Sequence, residues 1–249
     1  MPSERFEFEN ARGEQLDGIL ETGESAPQAW AAFAHCFSCG KNSLAAVRVS
    51  RALAEAGIGV LRFDFAGLGG SEGDFARGLS ADAADLTAAA EAMAAAGNPL
   101  KLLIGHSFGG AACLSAAASL PDIAAVTTIG TPFAAGHVLQ HAPEAAEQGG
   151  GEAVEIEIAG RTLKLSPGFV EDAVRHAPDA RIAALGRPLL ILHSPTDEVV
   201  GIDNAARIYR AARHPKSFIS LDGADHLLTR AEDTAWTARL IAAWFSRYC

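Results

Sequence analysis

Apolar positions along the chain recur with two periods, and the switches between them mark out its elements. Near the start Phe6 and Phe8 alternate with Glu7 and Glu9, and Leu16 to Leu20 follow an Arg12-Gly13 turn, which predicts an antiparallel hairpin opening a sheet. Short apolar runs then appear at Ala29 to His35, Gly59 to Phe65 and Leu100 to Gly105, each closed by a polar or glycine-containing loop, as strands buried on both faces are. Helical stretches separate them, Ser43 to Ala56 and Leu79 to Ala96, the second with Ser80 as N-cap followed by Asp82 and Asp85. Further runs at Ala124 to Ile129, Pro188 to His193 and Phe218 to Leu221, with a last amphipathic helix from Thr234 to Tyr248, continue the alternation. This β-α-β repetition predicts an α/β fold, a mostly parallel, doubly wound sheet covered by helices on both faces.

The stretch from Thr131 to Ala184 breaks the pattern. It holds a Gly149-Gly150-Gly151 turn and a period-two run, Val154 to Ile158, that faces Thr162 to Leu165 across Ala159-Gly160. We read it as a small cap inserted into a single domain spanning residues 1–249.

Composition narrows the function classes. A net charge of −10 without a long basic run argues against a phosphate backbone as partner, so no nucleic acid is expected. No apolar run approaches the roughly 20 residues of a membrane-spanning helix, and Met1 to Asn10 lacks the plan of a signal peptide, so a cytoplasmic location without membrane contact is the expectation. Cys36, Cys39, Cys113 and Cys249 form no regular framework and are expected as thiols. The Cys36-Cys39 spacing could instead suggest a metal or redox pair, but there is no second pair to complete a zinc site and no thioredoxin-like context, so neither is expected.

Chemistry enters at Leu102 to Ala111, an apolar strand, a Gly105-His106-Ser107-Phe108-Gly109 turn and a small-residue helix. A serine hydroxyl becomes a useful nucleophile when a sharp strand-to-helix turn exposes it beside a base, and glycines at 105 and 109 let strand and helix approach closely. The five-residue motif alone arises by chance in roughly one chain in seven of this length, so its context decides. A nucleotide-binding loop would need a G-x-G-x-x-G, and Gly105-His106-Ser107 lacks the second glycine. An acid and a base follow in the order the geometry requires: Asp197 after the run Pro188 to His193, and His226 after Phe218 to Leu221. Parallel strands deliver all three side chains to one rim of the sheet.

The rivals fit other roles. Asp64 precedes the nucleophile and reads as a loop-bonding aspartate, and Asp222 and Asp225 lie too close in sequence to His226 to reach its far ring nitrogen. His35, His106 and His193 border loops they are expected to bond, while His137, His141 and His176 are expected to be solvated. For the oxyanion of a tetrahedral intermediate, the backbone N–H of Phe108 is one expected donor and that of Phe37, in the loop His35 to Gly40, the other.

The Gly105 to Gly110 segment, the Asp197 and His226 loops, and Asp64 with Gly67-Leu68-Gly69-Gly70-Ser71-Glu72-Gly73 resemble the α/β-hydrolase superfamily over essentially the whole chain. More narrowly, Ala34 to Asn42 resembles the hydrolase half of bacterial proteins in which a hydrolase is fused to an OsmC-like domain, although Cys36 stands where the wider superfamily commonly has glycine. The resemblance implies a carboxylesterase-type serine hydrolase acting on small to medium esters, without metal or organic cofactor. Beyond the small-molecule ester, the partners it implies are an OsmC-like domain or a second copy of the chain. Serine as nucleophile disfavours aspartate-type dehalogenases and epoxide hydrolases. Thioester cleavage, acyl transfer and peptide hydrolysis run on the same triad and stay open, as does a non-catalytic binding module on the same fold. Within the cap, Phe133, Val138, Leu139, Leu163, Leu165 and Phe169 exceed what a solvated loop needs, and Phe133 is expected to wall the pocket and set acyl size.

Overall fold

The computed structural model describes residues 2–75, 77–141, 153–158, 161–175 and 177–249. The opening hairpin joins β1 (Ser3–Glu9) to β2 (Gln15–Glu21), antiparallel, with Phe8 opposite Leu16. The chain then alternates through β3 (Ala29–Ala34), α1 (Leu44–Glu55), β4 (Ile58–Phe63), α2 (Leu79–Ala95), β5 (Leu100–His106), α3 (Phe108–Ala116) and β6 (Ala125–Ile129). The insertion carries a 3₁₀ segment at Ala135–His141, the hairpin β7 (Val154–Ile158) and β8 (Arg161–Leu165), and helices α4 (Pro167–Arg175) and α5 (Pro178–Ala183). The alternation resumes with β9 (Leu189–His193), α6 (Asp203–Ala211), β10 (Lys216–Ser220) and α7 (Ala231–Phe245).

The main sheet has eight strands in the order β1-β2-β4-β3-β5-β6-β9-β10. Pairing is parallel from β4 through β10 and antiparallel where β2 meets β4 and β1. The strand order reverses between β3 and β5, so the loops leaving their carboxyl ends diverge and open a crevice there. Because strand side chains alternate between faces, the apolar runs divide between two clusters. Leu102, Ile104, Phe33 and Leu192 face Val49 and Leu53 of α1 and Ile241 and Phe245 of α7. Leu103, Leu61, Phe63 and Ile191 face Leu86 and Met93 of α2, Leu114 of α3 and Ile208 of α6.

The cap is anchored in this second cluster through Phe133, Val138, Ile156, Leu165, Phe169 and Val170, while Glu155 stays exposed. Its hairpin has the expected register, Val154 opposite Leu165. The Gly149-Gly150-Gly151 turn, the Ala159-Gly160 link and His176 lie outside the described residues, as do the side chains of His141 and Leu163.

Two helix starts differ from the sequence reading. Ser80 lies inside α2 and does not cap it; the cap position is Gly78, whose φ of 111° suits glycine. Asp172 of α4 takes the capping part from across the structure, accepting from the Ser80 N–H at 3.0 Å. The last helix begins at Ala231, not Thr234, because Glu232 and Asp233 favour its first turn and Asp233 is held by Arg230 at 2.8 and 2.9 Å.

Candidate active site

Ser107 sits between β5 and α3 with φ 54° and ψ −123°, a left-handed backbone that a side-chain-bearing residue adopts at a cost of about 1–3 kcal/mol. The turn is held by the Ser107 N–H donating to Ile129 O at 2.8 Å and the Gly110 N–H donating to Ser107 O at 2.9 Å. The small residues are there for clearance. A Cβ at Gly105 would strike the backbone of Gly109 and Gly110, one at Gly109 the carbonyls of Ala34 and His35, and one at Gly110 the side chain of Thr131. The Gly110 requirement was missed in the sequence, where its signal was only a second glycine after the motif.

The loops beyond β9 and β10 bring Asp197 and His226 to Ser107. His226 Nε2 lies 3.0 Å from Ser107 Oγ and His226 Nδ1 lies 2.8 Å from Asp197 Oδ2. Burial alone would raise the Asp197 pKa, but the hydrogen bond and charge of His226 and the N–H groups of Val200 and Val199 outweigh it and hold the carboxyl below its ordinary range. Those amides donate to Oδ1 at 2.8 and 2.9 Å, leaving Oδ2 for the imidazole. An ionised carboxylate accepts only, so Nδ1 carries the proton and Nε2 is left to accept from the serine hydroxyl.

Four other histidines, His35, His106, His137 and His193, fasten loops. His106 Nε2 faces the carbonyl of His226 at 2.7 Å and His193 Nε2 that of Val200 at 2.7 Å, so in each ring Nε2 carries the proton. Burial, with the neighbouring His226, pulls the His106 pKa down to about 4, which keeps it neutral. His35 donates from Nδ1 to Cys36 O at 2.8 Å and accepts at Nε2 from the Phe65 N–H at 3.3 Å. Asp225 turns to the Thr229 N–H and hydroxyl, away from His226. His137, expected in solvent, reaches Val199 O at 3.1 Å and so ties the cap to the Asp197 loop.

The loop after β3 carries Phe37. Its N–H and that of Phe108 donate to no other group among the described residues, and both residues border a cavity of about 740 Å³ that reaches Ser107 and His226. Asp64 braces this loop from below, accepting from the Lys41 N–H at 2.6 Å, Lys41 Nζ at 2.5 Å and the Gly70 N–H at 3.0 Å. Burial alone would lower the Lys41 pKa; its bonds to Asp17 and Asp64 outweigh that and raise it. The Phe37 ring contacts Phe75, Phe108 and Phe169 at centroid distances of 5.1–5.2 Å, which seats the cap helix α4 on the loop.

Two expectations are corrected here. Cys36 and Cys39 are not thiols but a disulfide, their Cα atoms 5.2 Å apart in a turn closed by the Cys39 N–H donating to Cys36 O at 3.0 Å. Cys113 and Cys249 are free, and burial pushes the Cys113 thiol well up. Phe133 does not wall the cavity. The chain leaves β6 through Gly130 at φ 55° so that Pro132 borders the cavity, while Phe133 is buried under Arg207, 4.1 Å above its ring, with its N–H donating to Asn204 at 3.0 Å. Val138, Val199 and Leu227 supply further apolar lining.

Among the described residues no group of three or more His, Cys, Asp or Glu side chains is placed to hold a metal ion, and no helix is long and apolar enough to cross a membrane.

The sequence profile described as "Alpha/beta hydrolase family" matches residues 29–240. The esterase domain of a Rhodothermus marinus protein is similar to the chain at 41% identity and a TM-score of 0.82, covering 100% of this chain and 99% of that one. At 20% identity, Est1E of Butyrivibrio proteoclasticus with ferulic acid bound shares the fold, with a TM-score of 0.82 and 98% of each chain covered. The dienelactone hydrolase of Anabaena variabilis does so at 18% identity and a TM-score of 0.72, over 99% of this chain and 98% of that one. No curated protein matches the chain.

Proposed function

Because the chain belongs to the alpha/beta-hydrolase family, we propose that it is a carboxylesterase-type serine hydrolase that cleaves small to medium esters through an acyl-enzyme on Ser107. The observation that carries this reading is the hydrogen-bonded line from Ser107 Oγ through His226 to Asp197, at 3.0 and 2.8 Å. Ser107 Oγ attacks the ester carbonyl while His226 Nε2 takes its proton, and Asp197 holds the imidazole and balances the charge it gains. The N–H groups of Phe37 and Phe108 receive the oxyanion. His226 then gives the proton to the departing alcohol. Water, deprotonated by His226, attacks the acyl-enzyme carbonyl, and the acid leaves as His226 returns that proton to Ser107 Oγ.

The esterase activity named for the Rhodothermus marinus relative supports the reaction class, and a cavity of about 740 Å³ supports substrates of modest size. A fluorophosphonate probe, which reacts only with an activated serine, and 4-nitrophenyl esters of graded chain length, with a thioester and an aminoacyl amide beside them, test the proposal. Wild type labels with the probe and hydrolyses the esters fastest; Ser107→Ala does not label and loses a thousandfold or more in kcat/KM with an unchanged circular dichroism spectrum. Undiminished turnover by the folded variant overturns the assignment.

A further inference from the structure

The charges around the cavity are unevenly answered. Asp64 is neutralised by Lys41, and Asp197 is committed to His226 and two backbone amides. Glu198, the next residue, also borders the cavity and is exposed, and among the described residues it has no Lys, Arg or His within ion-pair distance. Among the described residues no Lys or Arg borders the cavity. Lys41 turns its ammonium onto Asp17 and Asp64, and Arg207 lies over the ring of Phe133. The remaining lining is mainly apolar, with Val199 and Leu227 exposed beside Glu198. Among the described residues, a substrate entering here meets apolar walls and one unanswered negative charge, on a molecule whose net charge is already −10.

Building on the esterase reading, we propose that Glu198 is a specificity-determining residue that restricts the enzyme to uncharged or cationic esters and turns away anionic ones such as hemiesters of dicarboxylic acids. The carboxylate acts through its field. An anion placed within several ångströms of it in a partly desolvated cleft is disfavoured, and a cation favoured, by about fivefold in kcat/KM at low salt. Because the cleft is open to water, the discrimination shrinks as salt shortens the reach of the charge to less than about 10 Å.

The test measures kcat/KM for 4-nitrophenyl butyrate, for the 4-nitrophenyl hemiester of succinate with its charge on the acyl side, and for the butyrate ester of 4-hydroxybenzoate with its charge on the alcohol side. The choline ester of butyrate is the cationic arm. The quantity read is the ratio of charged to neutral ester within each protein, in which any loss common to all substrates cancels. In wild type at least one anionic ester runs about fivefold slower relative to a matched neutral ester at low salt than at 0.5 M salt. Glu198→Gln removes that salt-dependent part, and Glu198→Lys reverses its sign; which anionic ester responds tells whether the acyl or the alcohol side lies against Glu198. Charged-to-neutral ratios that salt leaves unchanged in wild type, or that both variants leave unchanged, overturn the proposal while leaving the esterase reading intact. Absence of Ser107-dependent turnover on every ester overturns that reading and this inference with it.

Discussion

Ser107 has to be strained and still reachable from the cavity, and the strain is tolerated because its neighbours leave the backbone no alternative. With φ at 54° the residue stays in place through the Ile129 carbonyl on one side and the start of α3 on the other. Gly105 is the counterpart inside the strand, since any Cβ there would overlap the backbone of Gly109 and Gly110, which cannot rotate away as a side-chain tip can. Gly105→Ala therefore lowers stability by about 3 kcal/mol and, by pushing α3 off β5, moves the serine out of line with His226. Urea unfolding and probe labelling on the folded variant check the two parts separately. A variant of wild-type stability and labelling rate would show that the turn has slack the contacts do not reveal. The need at Gly105 was legible in the sequence because the motif spells it out, whereas that at Gly110 was not, since it comes from Thr131 on a different element.

Legibility follows the same line at the scale of elements. Strands and helices stood out because burial on both faces forces long apolar runs with polar breaks, and β5, entirely buried except at Lys101, is the clearest of them. Pairings across the chain did not stand out. Lys41 meets Asp64 and Asp172 meets Ser80 over separations that no local period encodes. The Cys36-Cys39 disulfide was missed because a redox pair was set aside for want of a thioredoxin-like context, although a single turn is enough to bring these two together. Phe133 was misplaced for a related reason: proximity to the rim was inferred from its position after β6, but the direction of the side chain depends on the turn at Gly130. Buried at 2% exposure and covered by Arg207, Phe133 pins the start of the cap to α6. Phe133→Ala consequently costs about 3–5 kcal/mol and leaves the chain-length profile on 4-nitrophenyl esters unchanged. A shift toward longer acyl chains without loss of stability would return it to the pocket wall.

For the whole molecule, one consequence of this layout is a dependence of stability on pH. His35, His106 and His193 sit where strands end under the site loops, and burial lowers the pKa of each below the ordinary 6.5, to about 4 for His106. The folded state therefore binds fewer protons on these rings than the unfolded chain does. A depressed folded-state pKa means that the contribution is fully present above pH 6.5 and is lost as pH falls from there toward 4. His106 alone accounts for about 1.4 kcal/mol per pH unit inside that window, and the other two act in the same direction. The lowered carboxyl of Asp197 adds its own loss at still lower pH, below the ordinary value of 3.8. Glutamine at position 106 can place a neutral N–H where Nε2 now meets the His226 carbonyl, and it has no proton to gain. The free energy of unfolding by urea, measured from pH 7.5 to 5, falls below pH 6.5 in wild type and there falls less steeply in His106→Gln, by about 1.4 kcal/mol per pH unit. Parallel curves for the two proteins would mean that His106 titrates alike folded and unfolded. In that case the strand ends beneath the site are wetter than their burial implies.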